Sequence, residues 1–193
     1  MKNHEFHGPA LPWKTETLCL YAYDLSKPAK NIKAELPIGI DLLNRPIKLE
    51  NTALAMIHDH LKSNQDIFAA CYRKKPVSYL FTATSRCWIG EVHDCLSIAP
   101  QEVYLFNAYT YKGFRGKHIY PALISHVLRH YQQRSFKKAL IFTTGENTIS
   151  MTGITRVGFK HYGNVQFRYF LGKRSWKFTR SDHGCRSHFV HDI

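Results

Sequence analysis

The sequence predicts an α/β fold in which a mixed, mostly antiparallel sheet carries helices on both faces. Three observations lead there. In the first half of the chain, short apolar runs rich in aromatic and β-branched residues alternate with charged or proline-bearing turns, the punctuation of antiparallel strands. The second half reads strand, helix, strand, helix, strand, an order that lays helices against a sheet. The chain has 193 residues, 44% of them hydrophobic and 13% aromatic, enough for one well-buried domain and too few for two. A single domain over 1–193 is expected, with 1–16 and 174–193 as peripheral ends.

Thr17–Asp24 (TLCLYAYD) opens the sheet as a strand. Three prolines and a glycine between Ser26 and Pro46 make that stretch a connection with room for a short strand. Leu49, Ala53, Met56, Ile57 and Leu61 recur at helical spacing, so Leu49–Asn64 reads as an amphipathic helix with Asn51 or Thr52 available as its cap. Ile67–Tyr72 and Val77–Thr84 flank the turn sequence RKKP and form a β-hairpin. Cys87–Ile98 and Glu102–Thr110 repeat the pattern across Ala99-Pro100-Gln101 as a second antiparallel pair. His118–Tyr131 places Ile119, Ala122, Leu123, Val127 and Leu128 on one helical face. Ala139–Thr143 is a strand, and Asn147–Val157 is a shorter helix ended by Gly158. Phe159–Leu171 is the final, aromatic strand, bent or turned back at Gly163.

The formal net charge of +13 draws polyanions: nucleic acid, anionic membrane, an acidic carrier protein or a phosphorylated cofactor. The basic residues are dispersed in small clusters, which argues against a nucleic-acid arm. No apolar run is long enough to span a bilayer, and MKNHEFHGPALPW lacks the features of a signal peptide. Cys19, Cys71, Cys87, Cys95 and Cys185 are odd in number and include no C-x-x-C pair, so the expected compartment is reducing and cytoplasmic.

Gly113-Phe-Arg-Gly-Lys-His-Ile-Tyr-Pro-Ala-Leu123 sets a glycine- and cation-bearing turn directly before an apolar helix. The first N–H groups of a helix have no intrahelical partner, and the helix dipole adds positive charge beside Arg115 and Lys117. Such a turn suits a pyrophosphate. Pro121 is compatible, because the first helical turn does not need its N–H.

The loop resembles the R/Q-x-x-G-x-G/A cofactor motif of the GNAT superfamily (GCN5-related N-acetyltransferases), and R-G-K-x-I-Y-P-x-L is similar to a variation found in some of its bacterial members. His118 and Tyr120 stand where the motif has small residues. A second segment, Asn147-x-x-Ser150-x-x-x-Ile154-x-x-Val157-Gly158-Phe159, resembles the superfamily's N-x-x-A/S-x-x-x-Y-x-x-x-G-F signature. The resemblance covers Val77–Leu171. It implies a GNAT-like fold that binds acetyl-CoA or another acyl-CoA as acyl donor. The pyrophosphate would lie on the backbone of Arg115, Gly116, Lys117, His118, Ile119 and Tyr120, provided that the side chains at 118 and 120 turn away. The pantetheine would pair with the strand at Phe106, Ala108 and Thr110, and Asn147 and Ser150 would approach it from the second helix.

The implied reaction is acyl transfer to the primary amine of a small molecule or amino sugar. Such a transfer needs a neutral amine, a polarised carbonyl and a proton for the departing thiolate. The resemblance makes Glu91 the candidate base, on a strand before the cofactor strand with His93 on the same face. The superfamily's usual acid, a tyrosine, is Ile154 here, with Tyr162 or Tyr109 as substitutes that spacing does not separate, Tyr162 being the residue taken as acid, and direct protonation by the amine or a water as the other route. Asn107 is either a buried amide or a substrate contact. No metal is expected, since the tract from Asp182 to Asp192 lacks the spacing of a closed site. The alternatives are a long-chain acyltransferase served by acyl carrier protein and a non-catalytic module that binds coenzyme A or nucleic acid, nucleic acid being disfavoured. The aromatic last strand offers an edge for a homodimer.

Overall fold

The structure, a computed structural model, describes residues 13–43, 65–171 and 173–180. The helix expected at Leu49–Asn64 and the tract from Asp182 to Asp192 lie outside them. The chain forms strands β1 (Trp13–Asp24), β2 (Gly39–Leu42), β3 (Asp66–Tyr72), β4 (Lys75–Ala83), β5 (Cys87–Ile89), β6 (Asp94–Leu96), β7 (Glu102–Thr110), β8 (Lys138–Thr144), β9 (Lys160–Phe170) and β10 (Lys173–Arg180). Helix α1 spans Ile119–Gln133 and helix α2 Thr148–Val157, with a 3₁₀ turn at Lys112–Phe114.

Eight strands make one sheet in the order β10-β9-β1-β8-β7-β4-β3-β2. Only β7 and β8 are parallel neighbours within it, and α1 makes the crossover between them. The expected mixed, mostly antiparallel sheet is therefore present. The hairpin β3–β4 turns at Arg73 and Lys74, both with positive φ, while Pro76 sits in β4 beside a register shift.

Several expectations change. Cys87–Ile98 does not pair with Glu102–Thr110. It folds back on itself as the two-stranded β5–β6, because Gly90–His93 makes a turn inside it, with His93 at φ 50. Strand β7 pairs with β4 and β8 instead. Both described helices share one face of the sheet, where Leu123, Val127, Leu128, Ile154 and Val157 pack on Tyr21, Val103, Leu105 and Ile141. The opposite face is covered by Cys87, Ile89, Val92 and Leu96 of the small hairpin, packed on Leu20, Tyr104, Leu140, Val165 and Phe167. Burying each such aliphatic side chain contributes about 1.5–3 kcal/mol. The ends are less peripheral than expected: β1 begins at Trp13 and lies inside the sheet, between β9 and β8, and β10 extends the sheet beyond Leu171. The chain turns at the end of β9, not at Gly163, where the β1–β9 ladder has only an irregularity.

The segment following β1 runs along α1. Gln132 Nε2 donates to Leu25 O and Lys27 O at 2.8 Å each, Ser125 Oγ donates to Lys30 O, and Ile32 N–H donates to Ser125 Oγ at 3.1 Å. These bonds satisfy a connection that has no ladder of its own, and they carry it to the N-terminus of α1.

Candidate functional site

Strands β7 and β8 pair through four rungs, from Glu102 opposite Lys138 to Leu105 opposite Ile141, and then part. Beyond that point β7 continues on β4 alone, with Phe106 opposite Phe81, Tyr109 opposite Tyr79 and Thr110 opposite Ser78. The cause is local. The β4–β7 register shifts between Tyr79 and Phe81, and Asn107 takes φ 47, a conformation that asparagine tolerates better than most residues. A bulge of this kind bends its strand. Asn107 is thus neither a buried amide nor inside a regular strand: it is exposed and shapes the backbone. The β7 edge at Phe106, Ala108 and Thr110, expected to meet the pantetheine, borders this gap. An extended ligand with amides can enter it as an added strand.

At the end of β7 the chain makes the 3₁₀ turn and the loop Arg115–His118 into α1. Gly116 has φ 77, with open space where a Cβ would stand. Arg115 is held beside β7, its Nε donating to Thr110 O at 3.0 Å and its guanidinium 5.5 Å from the centre of the Tyr109 ring. His118, the N-cap of α1, lies in the left-handed region at φ 55 and ψ 19. That explains why glycine suits the position. Its imidazole turns to the segment after β1, with Nδ1 3.3 Å from Glu35 Oε1, and Glu35 N–H donates to Lys117 O at 3.1 Å. The first turn of α1 itself holds no acidic residue, and the carboxylate of Glu35 comes to its N-cap from outside, held on His118.

Helix α2 starts at the same end of the sheet. Asn147 caps it, Oδ1 accepting from Ser150 N–H at 3.0 Å, and Gly158 at φ 110 ends it. Ser150 Oγ is 3.2 Å from the Tyr120 hydroxyl, so Tyr120, like His118, turns away from the loop backbone. Burial pushes the Tyr120 hydroxyl up to about 12, partly offset by the bond to Ser150. Ile154 is fully buried between the helices and the sheet.

On the opposite face an aromatic group surrounds the point where the strands part. Tyr104 stacks on Phe106 with ring centres 5.4 Å apart and meets Phe142 at 4.9 Å. Tyr162 packs beside Phe142 in the buried core of that face. Glu91 is exposed in the β5–β6 turn and does not lie on a strand, nor does His93, whose ring lies tilted against Phe167 with centres 5.3 Å apart. Burial, then the Glu91 charge, then Cys87, Tyr162 and Tyr120 push the Tyr104 hydroxyl well above its ordinary value. The structure brings the loop 115–120, Asn147 and Ser150 together at one end of the sheet, while Tyr109 packs under Arg115 toward β4. Sequence reasoning missed Glu35 and the Tyr120–Ser150 contact, which join segments distant in the chain. The one local signal it passed over was Asn107, a residue type at home in left-handed backbone.

No protein-family model and no curated protein matches the chain. Solved structures do. A GCN5-related N-acetyltransferase from Sphaerobacter thermophilus aligns over 81% of this chain and 52% of its own, at 13% identity and a TM-score of 0.56. A GCN5-related glucosamine N-acetyltransferase region in a fungal multi-domain GH3 β-N-acetylglucosaminidase aligns over 82% and 21%, at 16% identity and 0.58. AAC(6′)-Iy, in complex with a bisubstrate analogue of CoA and acetylneamine, aligns over 64% and 91%, at 19% identity and 0.50. The chain spans only about half the length of the Sphaerobacter protein and less of the fungal one. With its mixed, mostly antiparallel sheet and its helices, the chain has the fold of the GCN5-related N-acetyltransferases.

Proposed function

We propose that the chain is an acyl-CoA-dependent N-acyltransferase of the R-G-K-x-I-Y-P loop type, moving an acetyl group directly from acetyl-CoA to the primary amine of a small molecule or amino sugar. The observation that carries this reading is the parting of β7 and β8 next to the N-termini of α1 and α2. The backbone of Arg115, Gly116, Lys117, His118, Ile119 and Tyr120 would hold the pyrophosphate, and the edge at Phe106, Ala108 and Thr110 would align the pantetheine. Asn147 and Ser150 form the far wall. The donor supplies an activated thioester carbonyl, and this chain's residues position it and handle protons.

Glu91 is the proposed base. Its carboxylate is exposed on the β5–β6 turn, so it can take a proton from an entering ammonium through water. The free cysteines at 19, 71, 87 and 95 fit a reducing, cytoplasmic setting. The net charge of +13 and the rings of Phe106 and Phe142 beside the gap favour one variant, a longer acyl chain delivered by an acidic acyl carrier protein. The test is thiol release from acetyl-CoA over a panel of amino sugars, aminoglycosides and diamines, with Glu91→Gln as control. Turnover that falls about 10²-fold in the variant supports the reading. CoA binding without turnover of any amine, with acetyl-CoA or long-chain acyl carrier protein, contradicts it.

A further inference from the structure

We infer that Tyr120 is the proton donor to the departing thiolate, with Ser150 as the group that returns a proton to it. The inference rests on the acyltransferase reading and names a role that the loop motif does not require. Helix α2 turns Ile154, which is buried, and Gly153, which carries no side chain, to the core, and its Thr152 and Thr155 hydroxyls donate to the helix's own carbonyls. The room over Gly153 is taken by Tyr120 from α1. A Cβ at Gly153 would lie 2.7 Å from Tyr120 Cδ1 and 2.9 Å from Cε1. The ring therefore crosses the groove between the helices, and its hydroxyl ends 3.2 Å from Ser150 Oγ, in the first turn of α2.

The cap of α2 places this hydroxyl: Ser150, its partner, is fixed by Asn147 at the end of the sheet where β7 and β8 part. The hydroxyl's raised value of about 12 keeps it protonated, hence a donor, throughout the neutral range. Tyr162 is placed less well, because its ring is enclosed in the core of the other face.

The step balances as follows. The acceptor nitrogen attacks the carbonyl carbon, the C–S bond breaks, and its electron pair stays on sulfur. Tyr120 Oη–H passes its proton to sulfur, Ser150 Oγ–H reprotonates Tyr120, and solvent reprotonates Ser150. The surplus proton on nitrogen leaves to solvent by way of Glu91. The products are the amide and the free thiol.

The test needs no knowledge of the acceptor. The thiol of CoA bound to the full chain is titrated by its thiolate absorbance in wild type, Tyr120→Phe and Ser150→Ala, with CoA affinity measured by calorimetry. A hydrogen-bond donor at sulfur stabilises the thiolate, so the bound thiol should titrate about one pH unit or more lower in wild type than in Tyr120→Phe. Ser150→Ala should shift it in the same direction by less, each titration being read at the CoA saturation that the calorimetry fixes. With an amine that turns over, Tyr120→Phe should lower kcat at least about tenfold while leaving KM for acetyl-CoA nearly unchanged. A wild type that binds CoA but whose bound thiol titrates as in Tyr120→Phe would overturn the inference alone. A wild type that binds no CoA would overturn the acyltransferase reading beneath it.

Discussion

Glu35 clasps His118. The Glu35 carboxylate lies 3.3 Å from His118 Nδ1, and its N–H donates to Lys117 O at 3.1 Å, so a segment after β1 fixes the last residues before α1. Both side chains are about half exposed, and an ion pair in such a setting contributes about 0–1 kcal/mol. The left-handed backbone at His118 costs about 1–2 kcal/mol for any L residue. His118→Ala should therefore be less stable than His118→Gly by about 1 kcal/mol, although alanine is the better residue inside a helix. Urea unfolding of the two variants checks this, and equal midpoints would contradict it.

Gly153 makes room for Tyr120. Gly153→Ala places a methyl group where the ring stands, and the ring must shift because Cδ1 is near the fixed end of its side chain. The expected cost is about 1–3 kcal/mol of overpacking, less any gain in helix propensity. Turnover should fall by more than acetyl-CoA affinity, since the displaced hydroxyl loses Ser150. A variant with unchanged turnover and an unshifted Tm would show that the ring is not confined there.

His126 and His130 sit on α1 with their rings against Phe68. Burial lowers both from 6.5, and Arg129 and Arg134 respectively lower them further, against smaller opposing effects of Asp41 and Asp66. The unfolded chain then binds more protons than the folded one below about 6.5, so this contribution to stability is complete above that pH and is lost as pH falls through the lower folded values. Thermal unfolding between pH 7.5 and 5 should show Tm falling with acidification, and the slope should be shallower in His126→Gln/His130→Gln. An identical slope would place the acid sensitivity elsewhere.

The parts of the fold written in neighbouring residues were legible in the sequence. The α1 loop is local, since a glycine, two cations and an apolar helical stripe follow one another. The Gly158 stop is equally local, and its left-handed backbone bears out the helix end read there. What was not legible depends on distant pairings. The gap between β7 and β8 follows from a register shift against β4, and β1 occupies the middle of the sheet by pairing with strands more than a hundred residues later. Cys87–Ile98 looked like a continuous partner for β7 because its apolar alternation survives across the turn at 90–93. Only the three-dimensional packing turns it over the opposite face, which also moves Glu91 from a strand to an exposed turn.

The central claim is that the parted strands and the loop before α1 form a site for coenzyme A. Isothermal titration of the full chain with CoA tests it most directly, comparing wild type with Arg115→Ala/Gly116→Pro. Proline cannot adopt φ 77, and alanine at 115 removes the bond to Thr110 O, so the loop geometry is lost while the core is untouched. Saturable one-to-one binding by wild type that weakens at least about tenfold in the variant is the predicted result. No binding by wild type, or equal binding by both proteins, would contradict it.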